Sequence, residues 1–343
     1  MERGLEDFLR AVPKAELHLH IEGTLEPAMM LGLAERHDVA LPWETLEDVH
    51  RAYEFEDLQS FLDLYYLGAS VLRTPEDFHA LTSAYLERCR EQNVVHLEMM
   101  FDPQTHTDRG IPFEVVMEGL LGAIEEARHD WGQSVRLIMC FLRHLDEASA
   151  LATLEQAEPF RDRIDAVGLD SGERGNPPEK FARAFAAARE RGYALTAHAG
   201  EEGPPAYVSG ALDVLGVGRI DHGVRCLEDE TLVERLVAER IPLTVCPQSN
   251  VRLCVYPTMA DHPILTMLDR GLSVSVNSDD PAYFGGHLVD NYLALARDLD
   301  MSGAQALALV RGGFEGSLLS DAERAPFLAA VDATAASHGI EIP

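Results

Sequence analysis

Short apolar runs alternate with longer helical segments along almost the whole chain, and this alternation is the feature that most limits its fold. Eight runs rich in Val, Ile and Leu read as strands, at 15–21, 94–101, 135–142, 166–170, 194–199, 218–222, 241–247 and 272–277. Strands that alternate with helices indicate parallel βα units, and eight such units are the number that closes a (β/α)8 barrel. The sequence therefore predicts an α/β fold, a TIM barrel.

Residues 24–92 depart from this alternation, because they are mostly helical and contain no strong strand. A single connection rarely needs this length, so we expect extra helices after the first strand, placed as a lid over the mouth of the barrel. No repeat or low-complexity linker interrupts the chain, and α/β barrels of this length occur as one domain. We therefore expect residues 1–343 to form a single domain.

Composition and charge disfavour several classes of partner. The 343 residues include 58 acidic and only 28 basic ones, for a formal net charge of −30. A surface of this sign repels polyphosphate, which argues against nucleic acid and anionic membranes. Five scattered cysteines without CxxC spacing indicate free thiols in a reducing compartment. The sequence shows no apolar leader and no apolar run of about 20 residues, so we expect a cytoplasmic protein. Both a monomer and a homo-oligomer are compatible with the sequence.

Polar, titratable residues cluster at the carboxyl ends of the predicted strands, which is where barrels of this kind carry their active site. His18 and His20 lie two apart on the first strand, so their side chains share one face, and neutral imidazole is the commonest metal ligand. Later strands run into Asp170, His198, Glu201, His222 and Asp279. Each residue alone is explained as well by a core histidine or a helix cap. Their joint placement favours a metal-dependent active site.

Five motifs carry a resemblance to a known family. PKAELHLHIEGT, TAHAGEEG, RIDHG, CPQSN and SVNSDDP occur in this order, and they resemble the adenosine/adenine deaminase family of metal-dependent hydrolases. The resemblance implies a distorted (β/α)8 barrel with one zinc ion per chain, held by three histidines and an aspartate. Carried over residue by residue, the ligands are His18, His20, His198 and Asp279. Fe(II) and Mn(II) suit the same ligands and stay alternatives to Zn2+.

The reaction that this resemblance implies is hydrolytic removal of the exocyclic amine of a purine. A bound zinc ion lowers the pKa of water toward ~7, which supplies the nucleophile for C6. Electron density then reaches N1, so an acid must protonate it, and Glu201 is the candidate. His222 is expected to orient the attacking water, unless it is a structural histidine bonded to Asp221. Asp279 is expected to pass the proton to the leaving amine, and Asp280 to bind ring N7.

The group at N9 divides the family. Glu22 stands where the adenosine branch commonly has an aspartate for the ribose 5′-hydroxyl, and its longer side chain would reach into the space of the sugar. Ser171 and Glu173 follow the fourth strand, where the purine N3/N9 edge should lie, and Glu173 can accept the N–H that a free base carries. His20 completes the expected purine contacts. HLEMMFDPQTHTDRG and NSDDPAYFGG also resemble the adenine deaminase branch, so we predict adenine as the substrate, in purine salvage.

Several alternatives stay open. Adenosine is the second candidate. Met99 and Met100 would suit an N6-substituted adenine if they lined the pocket, although core packing is the preferred explanation for them. A catalytically inactive purine-binding barrel is disfavoured, because the set of ligand and acid residues is complete. A lysine-bridged two-metal hydrolase is disfavoured as well, because neither Lys14 nor Lys180 ends a predicted strand.

Overall fold

A computed structural model describes residues 3–341, and these contain an eight-stranded parallel sheet. In chain order the strands are β1 Lys14–His20, β2 Val94–Phe101, β3 Ser134–Leu142, β4 Ala166–Asp170, β5 Ala194–Ala199, β6 Arg219–His222, β7 Pro242–Val245 and β8 Ser273–Val276. Each strand pairs in parallel with the next one along the chain. The predicted barrel is confirmed, with every strand close to its expected bounds.

Helices surround the sheet. Those of the described residues are α1 Arg3–Ala11, α2 Pro27–His37, α3 Leu46–Ala52, α4 Leu58–Ala69, α5 Pro75–Glu91, α6 Pro103–Thr107, α7 Phe113–Trp131, α8 Glu147–Gln156, α9 Ala182–Glu190, α10 Pro205–Gly210, α11 Glu230–Glu239, α12 Pro247–Arg252, α13 Ile264–Asp269, α14 Pro281–Phe284, α15 Leu288–Asp298, α16 Gly303–Glu315 and α17 Asp321–Ser337. Short 3-10 turns lie at Glu22–Thr24, Glu158–Arg163, Pro178–Phe181, Val224–Glu228 and Met259–Asp261, and a π turn at Ala211–Leu215. Among these helices, none combines the length and the apolar character that a bilayer crossing requires.

The strands are buried on both faces, which is why they read as apolar runs in the sequence. The barrel interior also holds charged groups, paired with one another. Arg219 donates to the Glu98 carboxylate and to the Leu17 carbonyl, and Glu98 accepts from His96 at 3.1 Å as well. A buried charge needs such partners, because desolvation without them costs several kcal/mol.

Lys14 begins β1 as a buried cation. Its Nζ donates to the Leu9 carbonyl oxygen at 2.9 Å and to the Val12 carbonyl oxygen at 2.6 Å. Both carbonyls lie at the junction between α1 and β1. Burial lowers the pKa of Lys14 to about 7. The junction between α1 and β1 therefore carries a titratable group whose charge is sensitive to pH near neutrality.

The barrel is sealed between β1 and β8 at an isolated bridge that joins Leu19 to Asp279. The His20 N–H donates to the Asp279 carbonyl at 3.0 Å, and the Asp279 N–H donates to the His18 carbonyl at 3.2 Å. A side chain adds to this β1–β8 seam, since Asn277 Oδ1 accepts from the Leu17 N–H at 2.8 Å. The seam thus lies at the carboxyl ends of the strands, where the predicted site residues are.

The connection from β1 to β2 contains the extra helices α2, α3, α4 and α5, as expected. The Asp57 side chain caps the start of α4 by accepting from the Ser60 N–H at 2.9 Å. This helix then places Leu58, Phe61, Leu62, Tyr65 and Tyr66 over the strand ends, where they line one wall of a cavity. The helix α4 therefore covers the mouth of the barrel.

Candidate active site

Four imidazoles and one carboxylate converge at the strand ends. His18 and His20 belong to β1, His198 to β5 and His222 to β6, while Asp279 follows β8. Ligand atoms of all these residues except His20 lie within 4.8 Å of one another. His20 lies beside them, with its Nε2 3.2 Å from His198 Nε2 and 3.5 Å from Asp279 Oδ1. The structure therefore brings the four predicted metal ligands together, and it places His222 equally close.

The donor set fits a divalent transition metal. His18 Nε2 is buried and makes no hydrogen bond, although Asp279 Oδ1 lies 3.1 Å away. The other ring nitrogen, Nδ1, donates to Thr244 Oγ1 at 3.0 Å, so Nε2 presents its lone pair to the centre of the cluster. Two nitrogens that ligate one tetrahedral zinc ion lie about 3.3 Å apart. The separation of 3.2 Å between the Nε2 atoms of His20 and His198 matches this value.

Asp221 supports two of the histidines from the barrel interior. Its carboxylate accepts from Thr196 Oγ1 at 2.5 Å and from Thr244 Oγ1 at 2.9 Å. Because the Thr244 hydroxyl proton is used on Asp221, its oxygen must accept from His18 Nδ1–H. Asp221 Oδ2 also lies 3.8 Å from His198 Nδ1. Metal-ligating histidines commonly have such oriented partners. The alternative in which Asp221 holds His222 is wrong, because this carboxylate faces the other histidines.

A chain of hydrogen bonds determines which nitrogen of His222 carries the proton. The backbone N–H of Ile264 donates to His262 Nδ1 at 3.3 Å, so His262 carries its own proton on Nε2. That N–H donates to Asn250 Oδ1 at 3.2 Å, which turns the Asn250 amide nitrogen toward His222 Nδ1, 3.4 Å away. Burial lowers the pKa of both histidines to about 3, so each ring is neutral. His222 Nδ1 therefore accepts, and Nε2 bears the hydrogen.

The His222 Nε2–H points into the cavity. The His222 Nε2 atom lies 3.6 Å from Glu201 Oε1 and 3.8 Å from Asp279 Oδ2. A protonated ring nitrogen has no lone pair for a metal, so His222 serves as a hydrogen-bond donor in this arrangement. His20 is then the better third imidazole ligand, although it is His222 whose ligand atom lies within 4.8 Å of those of His18, His198 and Asp279 together.

Two carboxyl groups in the cavity are shifted toward the protonated form. Burial, and then the charges of Asp279 and Glu173, raise the pKa of Glu201 well above its ordinary value. Burial and Asp279 do the same to the pKa of Asp280, whose Oδ1 is buried without a hydrogen-bond partner. Gly23 makes room for Asp280, because a Cβ atom at that position would overlap its carboxylate. A protonated carboxyl can donate to a ring nitrogen, so both groups can hold the acceptor atoms of a purine.

Glu173 does not contact the cavity, and its predicted role is wrong. Its two oxygens accept hydrogen bonds of 2.7–3.1 Å from four successive backbone N–H groups, those of Gly200, Glu201, Glu202 and Gly203. The carboxylate is therefore occupied in shaping the loop that carries Glu201. Ser171 does line the cavity, as expected. Its hydroxyl is engaged as well, because it accepts from the Tyr66 hydroxyl at 2.8 Å.

Glu22 is also placed differently from the prediction. Its Oε1 accepts from His106 Nε2 at 2.8 Å and from the Asp102 N–H at 3.2 Å, and the side chain does not line the cavity. The expectation that it fills the space of a sugar is therefore wrong. Met99 and Met100 are fully buried and likewise absent from the cavity wall, so core packing accounts for them.

Two further carboxylates line the cavity: Asp170, which belongs to the predicted strand-end cluster, and Asp102, which does not. Asp170 Oδ2 lies 3.4 Å from His20 Nδ1, and burial together with Asp102 raises the pKa of Asp170 well above its ordinary value. Asp102 Oδ2 accepts from the Tyr65 hydroxyl at 2.9 Å. Asp102 also stands at the carboxyl end of a strand, so the rule that located the histidines and Asp170 could have found it too.

Comparisons with known proteins agree with this geometry. The family model described as adenosine deaminase matches residues 13–334. An adenine deaminase of Hahella chejuensis is 56% identical over 334 residues, which is 97% of this chain and 100% of that protein. An adenine deaminase of Pseudomonas syringae pv. syringae is 57% identical over 313 residues, covering 91% of this chain and 99% of the relative.

Two solved structures extend the comparison. A crystal structure of adenine deaminase from Arthrobacter aurescens superposes with a TM-score of 0.92 at 51% identity, covering 94% of this chain and 99% of that one. An amidohydrolase from Burkhoderia ambifaria, solved with bound Zn, superposes with a TM-score of 0.89 at 26% identity. This second match covers 99% of this chain and 96% of the other.

Proposed function

The chain belongs to the adenosine deaminase family of metal-dependent hydrolases, and on that premise we propose that it hydrolyses adenine to hypoxanthine and ammonia. The observation that carries this proposal is the open lone pair of His18 Nε2 beside a buried acid, Glu201, and a histidine N–H, that of His222. Relatives named adenine deaminase are 56–57% identical over nearly the whole chain, which supports the free base as substrate. Purine salvage is the role that such a reaction serves.

One Zn2+ per chain is part of the proposal. His18, His20, His198 and Asp279 would hold it, since these residues supply the open nitrogens and the carboxylate of the cluster. When bound, zinc lowers the pKa of water toward neutrality and so provides a nucleophile for C6. The zinc bound in the B. ambifaria amidohydrolase supports this choice of metal.

The protein's own side chains would orient the ring and move protons. Protonated Glu201 donates to N1 as electron density develops there, and protonated Asp280 donates to N7. The His222 Nε2–H holds the attacking water in place over C6. Asp279, whose Oδ1 lies 3.1 Å from His18 Nε2 and whose Oδ2 lies 3.8 Å from His222 Nε2, would take the proton of the water as a carboxylate and return it to the departing amine.

The substrate proposal is tested with zinc-loaded enzyme and two separate substrates. We expect rapid formation of hypoxanthine and ammonia from adenine, and little inosine from adenosine, with products separated by chromatography. Turnover of adenosine without turnover of adenine would contradict the substrate but leave the hydrolytic mechanism intact. Turnover of neither compound by enzyme with a full complement of metal would contradict both.

We also propose where the enzyme works. The five cysteines are free thiols, four of them buried, and such residues suit a reducing compartment such as the cytoplasm. The partner that the site requires is a small purine base. The net charge of −30 disfavours nucleic acid as a further partner.

A further inference from the structure

The structure assigns to Asp102 the selection of a free purine base over its nucleosides, through acceptance of the ring N–H at N9. This inference rests on the proposed function, because it names the group that reads one edge of the same substrate. Asp102 thereby takes the role of N9–H acceptor that the sequence suggested for Glu173, whose oxygens are occupied by backbone N–H groups.

Asp102 has one carboxylate oxygen in use and one open. The side chain is buried and lines the cavity. Tyr65 donates its hydroxyl to Oδ2 at 2.9 Å, whereas Oδ1 is buried and makes no hydrogen bond. His20 Nδ1 lies 3.9 Å away, beyond hydrogen-bond range. A buried acceptor without a partner is energetically unfavourable, so we expect a donor to arrive with the ligand.

The position of Asp102 in the barrel determines which part of a purine it can meet. C6 must lie beside His222 and Asp279, while Glu201 and Asp280 take N1 and N7 on its two sides. The edge of the ring farthest from C6 carries N3 and N9. In an eight-stranded barrel with the strands in chain order, β2 faces β6 across the mouth. Asp102, directly after β2, therefore faces the N3/N9 edge.

The chemistry of that edge distinguishes bases from nucleosides. Adenine carries a hydrogen on N9, which a carboxylate oxygen accepts in a charge-assisted hydrogen bond. A nucleoside carries carbon at N9, so it leaves Oδ1 unpaired and also places its sugar against the Tyr65–Asp102 pair. Asp170 has an open oxygen too. Its other oxygen lies 3.4 Å from His20 Nδ1, which suits it to orienting that ligand.

The test is a ratio of specificities, kcat/KM for adenine divided by kcat/KM for 9-methyladenine, which lacks only the N9 hydrogen and adds one methyl group. In Asp102→Ala we expect kcat/KM for adenine to fall by about 100-fold or more. The value for 9-methyladenine should stay or rise, because the methyl group enters the vacated space. The ratio should therefore fall at least 100-fold. If 9-methyladenine is not turned over, its inhibition constant replaces its kcat/KM.

Controls separate this role from a structural one. Asp102→Asn keeps the shape of the side chain and should give a smaller fall in the ratio, and it decides the question if the alanine variant does not fold. Asp108→Ala, at an exposed aspartate outside the cavity, should keep the wild-type ratio. Zinc content, measured by inductively coupled plasma mass spectrometry, should stay at one ion per chain in all three variants.

Two results would overturn the inference while leaving the proposed function standing. One is an equal fall in kcat/KM for both substrates in Asp102→Ala, which would mean that Asp102 only supports His20. The other is no change in kcat/KM for either substrate. Wild-type enzyme that does not deaminate adenine would instead contradict the proposed function itself.

Discussion

His18 and His222 lie side by side, with ring centroids 4.6 Å apart, yet one ring directs a lone pair toward the cluster and the other an N–H. His18 presents a lone pair, because Thr244 takes its Nδ1–H. His222 presents an N–H, because Asn250 donates to its Nδ1. Residues outside the cluster thus decide which histidine can bind a cation and which can donate to the attacking oxygen.

Asn250→Asp should reverse the second assignment. A carboxylate accepts from His262 as the amide oxygen does, but it must also accept from His222, which moves the His222 proton to Nδ1. We expect kcat for adenine to fall by about 10²- to 10⁴-fold with little change in folding, as a wrong histidine tautomer does in serine proteases. Long-range 1H–15N spectra of labelled histidine report the tautomer directly. Wild-type spectra with the proton on Nδ1 of His222 would contradict the assignment.

Glu201→Gln should keep the metal and lose most turnover, by about 10²-fold or more, because an amide cannot protonate N1. In the wild-type enzyme the acid must be protonated, so kcat/KM should fall as pH rises through the Glu201 pKa. Since that pKa is raised by burial, the fall should come at a higher pH than for an ordinary glutamate. The measurement is a pH profile of kcat/KM with metal analysis; near-normal activity in the variant would show that another group protonates the ring.

Residue-level prediction from sequence succeeded where side-chain direction follows from local rules. His18 and His20 converge because alternate residues of a strand share a face. Glu173 was misassigned because the chain turns sharply after β4, with Ser171 in the left-handed region at φ 72°. That turn directs the carboxylate beneath the next loop, and no spacing in the sequence signals it. Asp102 was overlooked although it directly follows a predicted strand.

Among the elements, strands were predicted best. Their two-sided burial leaves a continuous apolar run, which is visible without any knowledge of the tertiary structure. The helices of residues 24–92 were foreseen as a group, whereas the placement of α4 over the mouth depends on packing between distant segments. Phe61, for example, lies against Tyr283 of α14, with ring centroids 5.5 Å apart. Such a contact across more than 200 positions cannot be read from periodicity.

The junction of α1 and β1 should make stability depend on pH. Lys14 has a pKa of about 7 in the folded protein, against ~10.4 in the unfolded chain. Between these values the unfolded chain binds more protons, so the free energy of unfolding rises with pH, by up to about 1.4 kcal/mol per pH unit.

Lys14→Met removes this titration. Between about pH 7.5 and about pH 9 we expect wild-type unfolding free energy to gain roughly 2 kcal/mol relative to the variant, measured by urea denaturation. Parallel pH dependence in the two proteins would show that Lys14 stays charged throughout, held by the Leu9 and Val12 carbonyls.

On the scale of the whole molecule, the metal cluster and the β1–β8 seam coincide. Asp279 bridges to Leu19 through its backbone while its side chain faces His18. A cation held between β1, β5 and the end of β8 would therefore tie together strands from across the sheet. Ligands that bind only the folded state raise its stability by mass action.

Removal of the metal should accordingly loosen the whole barrel. We expect dialysis against a chelator to abolish turnover and lower Tm by on the order of 10 °C, and added zinc to restore both. His18→Ala, which lacks one proposed ligand, serves as the control, because its Tm should respond little to the chelator. An unchanged Tm in chelated wild-type enzyme would mean that the seam holds without the cation.

Asp279 contributes both to the β1–β8 seam and to the metal cluster, so a substitution there weakens the barrel closure and removes a proposed ligand together. The residues on this side of the mouth can therefore change little without loss of activity. Ser171, after β4, lies across the mouth from this seam, and Asp102, after β2, takes no part in the bridge between β1 and β8. Evolution, or a directed library, can therefore exchange side chains at positions 102 and 171 while 18–20 and 277–281 stay constant. New enzymes for other purine bases are most accessible along that route, with the catalytic half inherited unchanged.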